Sequence, residues 1–202
     1  MKSLPRVLRA LALAIAPALA LATAPNPIGL KAGVFDPPQM AAEFPAGVRA
    51  TDKGDLTLAR YRGKVVLLVF GFTHCPAVCP VTLATLAQTR KLLGPDAASL
   101  QVVYLTVDPE RDDLAHVRDY LAGFDRSFVG GTGQAAVLET VRQRYGVTAR
   151  KLPAAGGGPD YGMAHSTSIY LIDREGRLRA LMPFGHSADD FAHDVRQLMA
   201  LQ

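Results

Sequence analysis

Only two of the 202 residues are cysteine, Cys75 and Cys79. One intrachain disulfide is therefore the most the chain can form, and the loop it would close is tiny. The loop-entropy account gives such a closure only about 2 kcal/mol, well below a long loop. Nor is a staple required, because 49% of the residues are hydrophobic and 20% charged, enough apolar material for a core. No stripe of lysine and arginine interleaves with aromatics, which excludes nucleic acid as a partner on this sequence. No glycine-rich loop opens a helix in the manner of a phosphate cradle; "AAGGGPDYG" stands apart from any helix start. No Ser-His-Asp arrangement can be assigned. A long hydrophobic run is missing too. The one apolar stretch, Ala10 to Ala24, has about 15 residues where a spanning helix needs about 20, and Pro17 interrupts it.

That stretch follows Lys2, Arg6 and Arg9 and ends in small residues, the pattern of a secretory signal. These three basic residues account for most of the formal charge of +4, since the remainder carries 19 basic against 18 acidic residues. Cleavage after Ala20 or Ala22 is expected, with an uncleaved membrane anchor as the alternative. No cysteine lies near the cleavage region, so a lipidated N-terminus is not expected. The working protein is expected outside the cytoplasm, where thiols meet an oxidising environment.

Residues 25–50, rich in Pro, Gly and Ala, read as an extended lead-in. "LTLARYRGK" predicts a short strand and a turn at Gly63. "VVLLVFGF", Val65 to Phe72, is the continuous β-branched and aromatic run of a strand buried on both faces. The cysteine segment follows, then a helix to about Leu93, stopped by Gly94-Pro95. Residues 100–107 form a second buried strand, and "DPERDD" is a loop ending in a helix cap at Asp112, with the helix running to about Ala122. "QAAVLETVRQRYG" is another helix, stopped at Gly146. After the loop "AAGGGPDYG" come strands at "STSIYLID" and "RLRALM", joined by "REG". Ser187 with Asp190 resembles a capping box for a last helix, Ala188 to about Leu201. Strands separated by helices imply parallel pairs, and the last tight turn an antiparallel hairpin. A cysteine pair at the first strand-to-helix junction of such a mixed sheet is the thioredoxin arrangement. The fold class expected is α/β, thioredoxin-like, with helices flanking a central mixed sheet and an N-terminal extension.

Cys75 and Cys79, four positions apart at a helix start, are expected one turn apart on one face. Free N–H groups and the helix dipole there favour the thiolate. Three readings stand. A structural disulfide is geometrically permitted. Dithiol exchange would use the same pair, although the usual spacing is Cys-x-x-Cys. Oxidoreductases of this fold also carry a cis-proline before the third strand, and no proline occurs from Tyr161 to Leu171. The third reading is a metal site of Cys75, Cys79 and His165, a soft set that selects Cu(I) and accommodates Cu(II). Zinc in a closed structural site would want a fourth protein ligand. Among the other histidines, His74 is expected to point away from Cys75. His116 and His193 belong on helix surfaces, and His186 has no evident partner. Asp108 and Arg111 read as a rigid loop pair or a site-edge ion pair.

Taken together, "GKVVLLVFGFTHCPAVCPVTLATL", "VDPERDDLAHVRDYL", "FVGGTG", "RYGV" and "DYGMAHSTSIYLIDREG" resemble, in order and spacing, the Sco or SenC family of copper chaperones. The resemblance covers about residues 44 to 200. Tyr161, His165, Ser166, Tyr170, Leu171, Asp173 and Gly176 fall in matching places. It implies copper ligation by Cys75, Cys79 and His165, one Cu(I) or Cu(II) ion per chain, with Cys75 and Cys79 also the redox-active pair if thiol exchange occurs. Many members carry an aspartate before the histidine, where this chain has Ala164. The implied role is delivery of copper to the dinuclear centre of cytochrome c oxidase, or preparation of that centre. The implied partners are the copper-acceptor subunit of the oxidase and other periplasmic copper carriers or thiol reductants. The alternatives are a thiol-disulfide oxidoreductase acting on the acceptor's cysteines and a redox sensor. The expected organisation is a signal or anchor at 1–24, a lead-in at 25–50 and a thioredoxin-like copper-binding domain at 51–202. The expected location is the periplasm, free or anchored to the inner membrane.

Overall fold

A computed structural model describes residue 26, residues 28–153 and residues 160–201. The expected signal segment and most of "AAGGGPDYG" lie outside the described residues. The strands are β1 (Gly33–Met40), β2 (Arg49–Ala50), β3 (Val65–Gly71), β4 (Leu100–Thr106), β5 (Val129–Thr132), β6 (Ala149–Pro153), β7 (Tyr161–His165), β8 (Ile169–Ile172) and β9 (Arg177–Met182). The α-helices are α1 (Val78–Leu93), α2 (Leu114–Ala122), α3 (Ala135–Arg144) and α4 (Ala188–Ala200).

One seven-stranded sheet runs β1-β9-β8-β3-β4-β5-β2. The pairs β3/β4 and β4/β5 are parallel and the others antiparallel, as helical crossovers and a final hairpin require. Every residue of β3 and of β4 is buried. Alternation explains why both strands read as unbroken apolar runs. Val65, Leu67 and Val69 pack with Leu83, Leu86, Val117, Leu121, Val195 and Leu198 of α1, α2 and α4 on one face. Val66, Leu68 and Phe70 pack with Leu138 and Val141 of α3, and with Phe44 and Val48 of the N-terminal segment, on the other. Gly94 ends α1 with φ +57°, a conformation only glycine takes freely. The capping box of Ser187 and Asp190 is present in full.

Three sequence expectations are corrected. Leu58–Tyr61 is a turn of 3-10 helix, not a strand, with Leu58 and Tyr61 buried. The lead-in is not a bare extension: β1 pairs with β9 and β2 with β5, so it completes both edges of the sheet. The cap of α2 is Asp113, which accepts from the His116 N–H at 2.7 Å, while Asp112 turns inward. The short β5 was also not foreseen, nor was the separate hairpin of β6 and β7, which carries His165 outside the main sheet. Among the described residues no helix is long and apolar enough to cross a membrane.

Candidate metal centre

The site is assembled at the C-terminal ends of β3 and β4, where three loops converge. Cys79 is the second residue of α1, but Cys75 precedes the helix. The expectation of two cysteines on one helical turn is therefore corrected. Cys75 instead lies in the loop before α1, and its Sγ accepts the Cys79 N–H at 3.4 Å. The residue capping α1, Ala77, offers no side-chain acceptor, so the Cys75 sulfur takes up part of the helix's unsatisfied donors. Pro80, in the first turn, has no N–H to leave unpaired.

This placement splits the two thiols. Burial alone would push the Cys75 thiol up, but the N–H groups of Cys79, Ala77 and Val78 outweigh it, and its pKa falls below the ordinary value. Burial dominates at Cys79, which is 3% exposed, and lifts its pKa to about 12 despite the Phe72 N–H nearby. The Tyr104 hydroxyl lies beside it, buried and outside hydrogen-bonding geometry with any described group. Gly71 makes room for that tyrosine, because a Cβ there would stand 2.6 Å from its oxygen. Reduced protein is accordingly expected to be alkylated by iodoacetamide at Cys75 first, with onset at lower pH than an ordinary thiol and Cys79 lagging. Peptide mapping of the product across the neutral to alkaline range checks this, and equal labelling of both cysteines would contradict it.

His165, at the end of β7, brings Nε2 to 3.7 Å from the Cys79 Sγ. Its Nδ1 lies 2.7 Å from the Ser166 carbonyl. A carbonyl only accepts, so Nδ1 carries the hydrogen and Nε2 presents its lone pair to the thiol. Burial lowers the imidazole pKa, which keeps the ring neutral. Phe72 stands edge-on to it, centroids 5.8 Å apart. The hairpin that carries the ring is pinned at both ends. Ser166 N–H donates to the Thr148 carbonyl, and Thr148 N–H to the Ser166 hydroxyl. At the other end Arg111 Nη1 donates to the Tyr161 carbonyl at 2.9 Å, its guanidinium lies 3.7 Å from the Tyr161 ring centre, and Nε binds Asp108 at 2.6 Å. The Tyr161 hydroxyl closes the loop by donating to Asp108. Asp108 and Arg111 thus combine both roles expected of them, a rigid loop pair at the edge of the site.

Cys79 lies beside both of the other expected ligands: its N–H is taken up by the Cys75 Sγ, and its own Sγ faces the His165 Nε2 at 3.7 Å. His193 and His186 sit beside Asp194 and Asp190 of α4, so His186 does have a partner. No cis-proline faces the cysteines; among the described residues the one cis bond is Asp36-Pro37, in β1. What the sequence did not disclose is that His74 meets His116, 42 positions away, over the buried Asp112. His116 is exposed, as a helix-surface residue should be, but it is not isolated there, because its ring stacks on that of His74.

A family model described as SCO1/SenC matches residues 43–200. The mitochondrial SCO2 homologue of Bos taurus is 35% identical over 163 residues, 75% of this chain and 61% of that protein. The Mus musculus homologue is 37% identical over 144 residues, 70% of this chain and 56% of that one. The chain thus spans little more than half the length of these relatives. Bradyrhizobium japonicum ScoI with copper bound superposes with a TM-score of 0.71 at 32% identity, covering 79% of this chain and 99% of that one. Apo Sco1 of Thermus thermophilus gives 0.73 at 30% identity, covering 84% and 96%. On the family match across most of its length, with the fold in agreement, this chain belongs to the SCO1/SenC family.

Proposed function

We propose that this protein is a metallochaperone that binds one copper ion through Cys75, Cys79 and His165 and serves assembly of the dinuclear copper centre of cytochrome c oxidase. The observation that carries the reading is the imidazole Nε2, lone pair outward, 3.7 Å from the Cys79 sulfur. With metal–sulfur and metal–nitrogen bonds of about 2.3 and 2.0–2.1 Å, a trigonal site separates these atoms by ~3.7 Å. Two sulfurs and one imidazole suit Cu(I) and leave out the fourth ligand of a closed zinc site. The relatives with copper bound support the same ion.

Cys79 holds its proton until a metal displaces it, whereas Cys75, nearer its thiolate form, makes the first contact. Cys75 is also the more exposed sulfur, so an incoming thiolate from an acceptor reaches the ion from that side. Stepwise ligand exchange then hands the ion over without free copper. The signal-like N-terminal segment supports a site of action outside the cytoplasm, in the periplasm or on the inner membrane. Residues 51–202 act as the copper-binding unit, with the lead-in as part of its sheet. Titrating the reduced chain with Cu(I) against a competing chelator tests the reading. One ion per chain is expected, and none in Cys75→Ser/Cys79→Ser; binding retained by that variant would refute it.

One observation favours a second reading. A low-pKa, half-buried thiol beside a high-pKa, fully buried one is the arrangement of an attacking and a resolving cysteine. The same pair could reduce the acceptor's cysteines. His165, needed for metal binding and not for exchange, separates the two roles.

A further inference from the structure

A second group of ligating side chains lies one residue upstream of Cys75. Asp112 is fully buried. Its carboxylate accepts the Thr73 N–H at 3.0 Å, the Thr73 hydroxyl at 2.6 Å and the Thr106 hydroxyl at 2.6 Å, tying the ends of β3 and β4 together. A carboxylate has about four acceptor positions, so one stays open. Among the described residues no lysine or arginine pairs with it; the groups nearby able to carry positive charge are His74, Nδ1 at 3.8 Å, and His116.

The His74 ring stacks on His116, centroids 5.2 Å apart and planes at 7°. One ligand atom from each of His74, His116 and Asp112 lies within 4.8 Å of the other two. Bonds of about 2.0–2.2 Å put neighbouring ligands of a tetrahedral site ~3.4 Å apart, so closure needs a swing of roughly an ångström by two exposed rings. His116 sits in the first turn of α2, where the helix dipole disfavours a cation, but Asp112 and the capping Asp113 oppose that field. Nothing in the thiol site requires either imidazole.

We propose that His74, His116 and Asp112 form a second metal site, distinct from the two thiols and His165, for a divalent borderline ion of the Cu(II) or Zn(II) kind. Two imidazoles and a carboxylate are the donors such ions prefer, and the set has no sulfur to favour Cu(I). The carboxylate is preorganised by its three hydrogen bonds, and the open side of the exposed rings admits the ion. The chain would then hold a borderline and a soft site side by side, joined by the His74-Cys75 peptide.

The test uses Cys75→Ser/Cys79→Ser/His165→Ala in the otherwise complete chain, titrated with a Cu(II) salt. One Cu(II) per chain is expected, with two imidazoles in the pulsed electron paramagnetic resonance spectrum. Adding His74→Ala or His116→Ala should leave one imidazole and weaken affinity at least about tenfold, while His186→Ala changes neither readout. No Cu(II) bound in the background variant, or binding indifferent to His116→Ala, overturns the proposal. Should circular dichroism show the triple variant unfolded, wild-type chain with its thiols occupied by one equivalent of Ag(I) takes its place. The readouts are then the same, and the same results support or overturn the second site.

Discussion

Reduced His165→Ala protein is expected to bind Cu(I) at least about a hundredfold more weakly than wild type, a loss of ~2.7 kcal/mol, while its thiols still exchange with disulfides at a similar rate. The reason for the first is geometric. Among the described residues Nε2 is the imidazole nitrogen aimed at the Cys79 sulfur, and the Ser166 carbonyl holds the ring there, so no neighbouring side chain takes over. The reason for the second is electrostatic. Cys75 owes its lowered pKa to the backbone N–H groups of Cys79, Ala77 and Val78, none of which moves when the imidazole is cut away. Stability should change little, since one half-buried ring with one hydrogen bond to a carbonyl and one long contact to sulfur is removed, on the order of 1 kcal/mol. Competition against a Cu(I) chelator measures the affinity and a dithiol-disulfide assay the exchange. Unchanged affinity would dismiss the three-ligand site. Loss of exchange together with copper would show that the imidazole activates the thiols, and the oxidoreductase reading would then gain His165 as a working group.

How much of this could be read beforehand depends on where the information sits. β3 and β4 were legible because both faces are buried and the apolar run records it directly. The box of Ser187 and Asp190 was legible because capping is local. β1 and β2 were not, because strands at a sheet edge carry mixed, exposed side chains and owe their conformation to β9 and β5. The hairpin of β6 and β7 escaped for the same reason: its residues are largely exposed, and its order derives from Arg111, Tyr161 and the Thr148–Ser166 contacts. Cys75, Cys79 and His165 were identified through spacing, donor chemistry and family resemblance. The disposition of Cys75 was not, since a four-residue spacing does not say where a helix begins, and α1 begins three residues later. The approach of His116 to His74 left no trace at all in the sequence, because it depends on the register of α2 against the end of β3.

Arg111→Ala should be the most damaging single change outside the ligands, because it strikes the anchor of the hairpin. Asp108 is 1% exposed and binds both the Arg111 guanidinium and the Tyr161 hydroxyl. Removing the arginine strands a buried carboxylate, for which about 3–5 kcal/mol is usual; the remaining tyrosine bond places this case near the lower end. It also frees the Tyr161 carbonyl and ring, so β7 is no longer held at its first residue and His165 at its last loses register with Cys79. Both stability in urea and Cu(I) affinity should therefore fall. Arg111→Ala/Asp108→Ala should recover part of the stability, because the stranded charge is gone, but not the affinity, because the hairpin is still loose. Leu198→Ala separates the two effects. This fully buried leucine packs on the opposite face of the sheet, and its truncation should cost about 2–5 kcal/mol while copper affinity of the folded protein stays within a few-fold of wild type. If Arg111→Ala lowers stability alone, the anchor is structural only, and the position of His165 is set by the Ser166 and Thr148 end of the hairpin.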